Sequence, residues 1–308
     1  MKSLFTNGKQ LRAGWRFLLF AIVMSSLLLG LKALVSKIPT TADLLQLAQS
    51  GTLTPPFLLI WDGATLLMLL LVSGFAARSE RRPLRAFGLP LRDAFKSRFW
   101  QGVLWGFSLA TVVIFATYLL GGYSVGGLAL SPIKISVYGP SWALAFTLAA
   151  MYEEFFFRGY ALFTLGDGLG FWPAAVFLSA LFGALHLPNA GEGMIGALSV
   201  MLYALFACFT LRRTGSLWFA IGLHAAWDYS QTFIYSVQGS GLGARGQLLH
   251  AGLHGPRWLT GGAVGPEGSA IGFAVILLSF VAFSRLFPNQ DRLVERIQTG
   301  TALRADMN

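Results

Sequence analysis

The sequence has few charged residues. Asp, Glu, Lys and Arg make up 12% of its 308 residues, while hydrophobic residues make up 55%. Soluble globular domains carry about a quarter charged residues. Water alone cannot solvate so apolar a surface on a chain of this length, so lipid must contact most of it. The composition therefore predicts an integral membrane protein.

Cysteine is almost absent, and basic residues outnumber acidic ones. Cys208 is the one cysteine, so no internal disulfide can form, and its apolar surroundings predict a small buried side chain. The net charge of +10 could suit a nucleic acid. However, the Lys and Arg residues fall in short segments between apolar runs, which is how membrane proteins set their orientation. We therefore expect contact with membrane lipids and no nucleic-acid partner.

Eight apolar windows are long enough to cross about 30 Å of hydrocarbon. They predict an all-α, polytopic transmembrane bundle that forms a single integral membrane domain over residues 1–308, with spans at 15–35, 57–77, 100–120, 141–163, 171–188, 194–211, 216–237 and 269–287. The first window is longer than a typical signal-peptide core and no cleavage motif follows it, so we expect a retained helix. The Gly-rich segment 239–268 is expected to be a long, irregular outer loop.

The distribution of positive charge predicts the orientation. With the N-terminus inside, 17 of the 23 Lys and Arg residues lie in cytoplasmic segments and four lie in outer ones. This asymmetry follows the positive-inside rule and predicts that both termini are cytoplasmic. The expected location is the plasma membrane of a prokaryotic cell.

Ionisable side chains inside a bilayer are costly, so they are rare and usually functional. Three of the predicted spans carry six of them between them: Glu153, Glu154, Arg158, His186, His224 and Asp228. Asp62 lies near the outer end of the second span, and we expect it to reach the membrane interface.

Helical spacing predicts how these side chains meet. Glu154 and Arg158 are four residues apart, so they share a helix face and can pair. Glu153 is turned by about 100° from Glu154 and remains unpaired. His224 and Asp228 are also four residues apart, and Asp228 is expected to hold one ring nitrogen of His224 and fix its tautomer.

The predicted span ends leave a mismatch in depth. At about 1.5 Å per residue, Glu153 and His224 lie roughly 12–13 Å from the cytoplasmic face, whereas His186 lies roughly 22 Å from it. The three side chains can meet only if the fifth helix starts deeper on the cytoplasmic side or tilts.

A carboxylate and two histidines drawn from three helices suit the activation of water for attack on a carbonyl group. Other interpretations remain open at this point. Glu153, His186 and His224 could instead bind zinc in a metalloprotease, although no HExxH motif is present. The protein could also be a non-enzymatic regulator, immunity protein or scaffold. A transporter is a further alternative, but the sequence has no repeated halves.

Three motifs resemble those of a known family. EEFFFRG at 153–159 resembles the EExxxR signature of the CAAX protease and bacteriocin-processing (CPBP or Abi) family. FGALH at 182–186 is similar to its FxxxH motif, and HAAWD at 224–228 to its HxxxN/D motif. The motifs occur in the family's order within a core region at 141–230. The resemblance implies a glutamate-dependent intramembrane endopeptidase with about eight spans, acting on a peptide or membrane-protein substrate.

The resemblance also implies residue roles. Glu153 and His186 would activate the water, and His224 and Asp228 would stabilise the oxyanion. Structural support of the site would come from Glu154, Arg158 and Phe182. No cofactor is implied. Asp228 stands where the family's eukaryotic prenyl-protein proteases have Asn, and an ionised Asp would repel an oxyanion. Asp228 is therefore expected either to be protonated or to orient His224.

Overall fold

The computed structural model describes residues 5–7 and 10–288, and most of them are helical. The helices are α1 Ala13–Val35, α2 Pro39–Gln49, α3 Pro55–Ser79, α4 Ser97–Leu119, α5 Pro132–Glu154, α6 Leu162–Leu169, α7 Phe171–His186, α8 Met194–Thr214, α9 Leu217–Tyr229, α10 Arg257–Thr260 and α11 Ala270–Leu286. The strands are short: β1 Thr6–Asn7, β2 Gln10–Leu11, β3 Thr52–Leu53, β4 Tyr123–Leu128, β5 Gly243–Ala244 and β6 Leu249–Leu253. Five basic residues of the predicted cytoplasmic tails lie outside the described residues: Lys2, Lys9, Arg292, Arg296 and Arg304.

Among the described residues, four helices are long and apolar enough to cross a membrane, namely α1, α3, α4 and α8. Helices α7 and α11 are apolar but shorter. The predicted helical membrane class is therefore confirmed. Length and hydropathy do not confirm the predicted number of eight crossings.

The helical run that contains the fourth predicted span, 141–163, extends beyond it at both ends, from Pro132 to Leu169. Helix α5 begins with a proline at Pro132, where the missing N–H costs nothing. It continues through a π-helical turn, Phe155–Ala161, into α6, which ends before Gly170 at a positive φ of 82°. The helical run therefore ends 16 residues after Glu153, roughly 24 Å beyond it. This depth agrees with that of His186 on α7, so the wrong predicted end of the fourth span accounts for the mismatch between Glu153 and His186. It does not account for His224, which lies seven residues into α9, roughly 10 Å from the start of that helix.

The described segments between helices meet at two opposite ends of the bundle. At one end, β3 pairs with β5, β4 pairs with β6, and the Gly191 N–H donates to the Gly241 carbonyl. All these segments were predicted to lie outside. At the other end, Arg16 forms ion pairs with Glu80 at 2.6 Å and with Asp167 at 3.0 Å. These residues were predicted to lie on or next to the inner side.

The segment 239–268 is not irregular throughout, contrary to prediction. It contains β5, β6 and α10. The prediction failed because the strands in this segment are completed by partners from distant segments: β5 pairs with β3 in parallel, and β6 pairs with β4. A short strand that pairs with a distant segment need not show an alternating hydrophobic pattern in its own sequence.

Helices α4 and α9 pack closely because glycines lie between them. A Cβ atom at Gly102 would overlap the Phe219 carbonyl oxygen, and one at Gly222 would overlap the Phe99 carbonyl oxygen. Small residues allow this close approach of helix backbones within a membrane. Gly222 precedes His224 by two residues, so this contact helps to set the position of the histidine.

Candidate active site

A cavity of about 390 Å³ lies among α3, α5, α7, α8 and α9. Four of the residues that the sequence singled out line it: Glu153, His186, His224 and Asp228. The three motifs thus meet in one space, although they come from three separate helices. Phe182 lines the same cavity.

Glu154 is enclosed behind the cavity wall and holds two partners. Its side chain has no solvent exposure. Its Oε1 atom lies 3.4 Å from Arg158 Nη1, the ion pair that the four-residue spacing predicted. The same oxygen accepts a hydrogen bond of 2.9 Å from His224 Nδ1. Because an ionised carboxylate can only accept, the proton lies on Nδ1.

Asp228 contacts one ring nitrogen of His224 as predicted, but Glu154 holds the other nitrogen and fixes the tautomer. Asp228 Oδ2 lies 3.4 Å from His224 Nε2, the opposite ring nitrogen. The i to i+4 spacing correctly brought Asp228 to the ring. It could not reveal that Glu154, from another helix, already holds the Nδ1 atom.

Glu153 faces the cavity, unlike its neighbour. Its side chain is 28% exposed, and its Oε2 atom lies 3.7 Å from His224 Nε2. The turn of about 100° between successive helical residues separates the two carboxylates as predicted. Glu153 is not left unpaired, contrary to prediction, because Glu153 and Glu154 approach the same imidazole ring, one at each nitrogen.

His186 ends α7 with a defined tautomer. Its Nδ1 atom lies 2.8 Å from the Phe182 carbonyl oxygen, which can only accept, so Nδ1 carries the proton. In the neutral ring, Nε2 then carries the lone pair. The Phe182 ring meets the His186 ring edge-on at 4.6 Å, and the Arg158 guanidinium lies over the Phe182 ring at 4.4 Å. Phe182 thus connects the Glu154–Arg158 pair to His186.

A π-helical turn follows the acidic residues of α5 and another follows Asp228 of α9. One comprises Phe155–Ala161, directly after Glu154, and the other Ser230–Ile234, two residues after Asp228. Such turns are rare and often occur at functional sites, because they rotate the next residues relative to a regular helix.

Asp62 lies in the cavity and not at the membrane interface, contrary to prediction. It lines the cavity on α3 and is only 6% exposed. The sequence did contain a signal for this position. Asp62 is an ionisable residue inside a predicted span, so the energetic argument used for Glu153 applied to it equally.

Glu267 also lines the cavity, and the sequence contained no signal for it. It lies near the end of the Gly-rich segment 239–268 and shows no periodic pattern. Its carboxylate accepts hydrogen bonds of 3.3 Å from Trp227 Nε1 and Gln231 Nε2, and a further one from the Ser240 backbone N–H.

Two other possible sites can be assessed from the geometry. Within residues 5–7 and 10–288, no three His, Cys, Asp or Glu side chains are grouped so that they could hold a metal ion; Glu153, His186 and His224 share the cavity without such grouping. Residues 122–126 read GYSVG, a spacing found around nucleophilic serines, and Ser124 Oγ lies 2.7 Å from His254 Nε2. Ser124 is exposed on β4 and His254 is exposed directly after β6, both outside the cavity, and no described carboxylate orients His254.

Comparison with known proteins identifies one family. Residues 135–230, about a third of the chain, match the family model described as Type II CAAX prenyl endopeptidase Rce1-like. No curated protein and no solved structure matches the chain. The matched segment contains all three motifs, from Glu153 to Asp228. The match confirms the predicted resemblance to the CPBP family: over residues 135–230, this membrane protein is similar to the Rce1-like type II CAAX prenyl endopeptidases, a family of proteases.

Proposed function

We propose that the protein is an intramembrane endopeptidase that hydrolyses a peptide bond with a water molecule activated by Glu153 and His186. One observation carries this proposal. Glu153, His186 and His224, from three helices, line one cavity. The protease family matched by residues 135–230 supports the same reaction class.

Glu153 is the general base in this mechanism. It takes a proton from the water, while His186 Nε2 accepts a hydrogen bond from the water's second hydrogen. The water oxygen then attacks the peptide carbonyl carbon and forms a tetrahedral intermediate. The proton held by Glu153 passes to the leaving nitrogen as the C–N bond breaks, which yields an amine and a carboxylic acid, and the acid then loses its proton to solvent as a carboxylate.

His224 stabilises the oxyanion in this mechanism. Its Nδ1–H donates to Glu154, so a proton on Nε2 gives a charged ring with a donor that faces the cavity. Asp228, at 3.4 Å from Nε2, holds this donor in the resting enzyme until the oxyanion replaces it. Asp228 thereby acts as a positioning residue for His224, and its own charge need not contact the oxyanion.

We also propose that the chain crosses the membrane eight times, through α1, α3, α4, the run from α5 to α6, α7, α8, α9 and α11. Both termini are then cytoplasmic, in the plasma membrane of a prokaryotic cell. The meeting of all predicted outer segments at one end of the bundle supports this number of crossings, and the distribution of Lys and Arg supports the orientation. The cavity lies within the bundle, so the substrate is a peptide or a membrane protein.

The proposal can be tested by substrate capture. Native membranes containing the Glu153→Gln variant should accumulate uncleaved substrate that is absent with the wild-type protein. Asp43→Asn, the same chemical change at an exposed position on α2, is the matched control and should behave as wild type. Equal accumulation in all three membranes would favour the regulator or scaffold.

With purified protein, activity that persists through a chelator titration and without bound metal supports the metal-free mechanism, whereas its loss supports the zinc alternative.

A further inference from the structure

The carboxylates around the cavity differ in how they are paired. Glu154 has Arg158 and His224 as partners. Glu267 accepts three hydrogen bonds from neighbouring donors. Glu153 and Asp228 both face His224 Nε2 at less than 4 Å. Each of these four carboxylates therefore has a positive or hydrogen-bonding neighbour within the protein.

Asp62 is different. Its side chain accepts no hydrogen bond and forms no ion pair within the part of the chain that the structure describes, and its Oδ2 atom is fully enclosed. It lies seven residues into α3, roughly 10 Å below the start of that helix. A buried carboxylate without a partner is costly, and such a group is commonly completed by a ligand.

The charge around Asp62 favours a cation as that ligand. Four carboxylates line the cavity, namely Asp62, Glu153, Asp228 and Glu267, and no described Lys or Arg lines it. The two histidines are the only basic groups among its described lining residues. A cavity lined by one sign of charge attracts the opposite sign and disfavours its own.

The wall above Asp62 suits the stem of a long basic side chain. Phe57 and Trp61 line the cavity there, with their rings stacked at a centroid distance of 5.9 Å. Leu58 precedes Asp62 by one helical turn and lines the cavity too. An apolar and aromatic wall accepts the methylene groups of Lys or Arg, and aromatic faces attract their charge.

Asp62 lies in the same cavity as the proposed catalytic residues. Asp62, Glu153 and His224 all line it. A cation bound at Asp62 would therefore belong to a substrate residue close to the bond under attack.

We propose that Asp62 forms a specificity subsite for a Lys or Arg side chain of the substrate next to the scissile bond, an inference that rests on the proposed endopeptidase function. The aromatic wall receives the stem, and the carboxylate receives the charge. An acidic side chain at that position would meet four carboxylates and be rejected.

Binding is tested separately from cleavage by using the Glu153→Gln variant in lipid nanodiscs. The probes are matched mixtures of apolar heptapeptides with Lys, norleucine or Glu at the central position, and Trp fluorescence follows binding. The Lys mixture should bind at least about tenfold more tightly than the norleucine mixture, and the Glu mixture more weakly than either. Adding Asp62→Asn should reduce the Lys-to-norleucine ratio toward one. Asp62→Glu should retain it, and Asp62→Lys should reverse the order of Lys and Glu.

Equal binding of the Lys and norleucine mixtures overturns the subsite. So does a preference for Lys that survives Asp62→Asn in a variant that still binds the norleucine mixture. Failure of the proposed function has a different signature: the wild-type protein would cleave none of the mixtures while the charge preference and its dependence on Asp62 persist. The Asp43→Asn change, added to the same background, is the control for loss of a carboxylate elsewhere.

Discussion

Replacement by Gln should have different effects at the two adjacent glutamates. It should lower the stability of the protein at Glu154, whereas at Glu153 it should abolish cleavage and leave stability nearly unchanged. Glu154 is fully buried and holds both Arg158, at 3.4 Å, and His224, at 2.9 Å. Glu154→Gln leaves the Arg158 guanidinium buried without a counterion, which costs about 3–5 kcal/mol of stability. Glu153 is 28% exposed and accepts no hydrogen bond in the described structure. Glu153→Gln should therefore change stability by less than about 1 kcal/mol while abolishing cleavage.

Unfolding in mixed micelles by titration with SDS, followed by Trp fluorescence, measures the stability difference, and cleavage is measured on the same preparations. A double variant sharpens the test, because Arg158→Met removes the stranded charge. The double variant Glu154→Gln/Arg158→Met should lose about 2 kcal/mol less stability than the sum of the losses measured for the two single variants. The reasoning is refuted if Glu153→Gln destabilises as much as Glu154→Gln, or if the double variant shows no coupling.

Further predictions concern the supports of the site. Phe182→Leu removes the ring that contacts His186 at 4.6 Å, and kcat should fall about tenfold or more in a cleavage assay while the fold persists. Gly222→Val forces α4 and α9 apart, so it should lower the unfolding free energy by about 1–3 kcal/mol and also lower activity. Gly14→Ala, at a position with open space around it, should change neither quantity. Burial and nearby Glu267 raise the pKa of Glu192, which lies between α7 and α8, from 4.5 to about 8. The folded protein holds this proton more tightly than the unfolded chain, so stability should fall between pH 4.5 and 8, by less than about 1.4 kcal/mol per pH unit because Glu192 is only half-buried. Glu192→Gln should remove that fall.

The sequence predicted the helices well because lipid imposes a simple rule on them. An apolar run must persist for the thickness of the hydrocarbon, so α1, α3 and α4 begin and end within about three residues of their predicted bounds. The run from α5 to α6 was misjudged because it extends well beyond the apolar window. The outer strands were missed since they pair across distant segments of the chain.

The candidate site was predictable as a set of residues, but not as a set of contacts. The cost of burying charge singled out Glu153, His186 and His224, and all three line the cavity. Which carboxylate meets which ring nitrogen depends on the rotation and depth of α5 relative to α9. That relation is set by the packing of helix surfaces and by the glycines between α4 and α9, which a period of 3.6 residues does not encode.

The position of a bound transition-state analogue would decide whether this cavity activates water. A substrate peptide whose scissile bond is replaced by a phosphinate mimics the tetrahedral intermediate, with its two oxygens in place of the attacking water and the oxyanion. In an experimental structure of that complex, one oxygen should lie within hydrogen-bond distance of Glu153 and His186, and the other within reach of His224 Nε2. A phosphinate bound outside the cavity, or bound there with both oxygens remote from Glu153, would contradict the proposed mechanism.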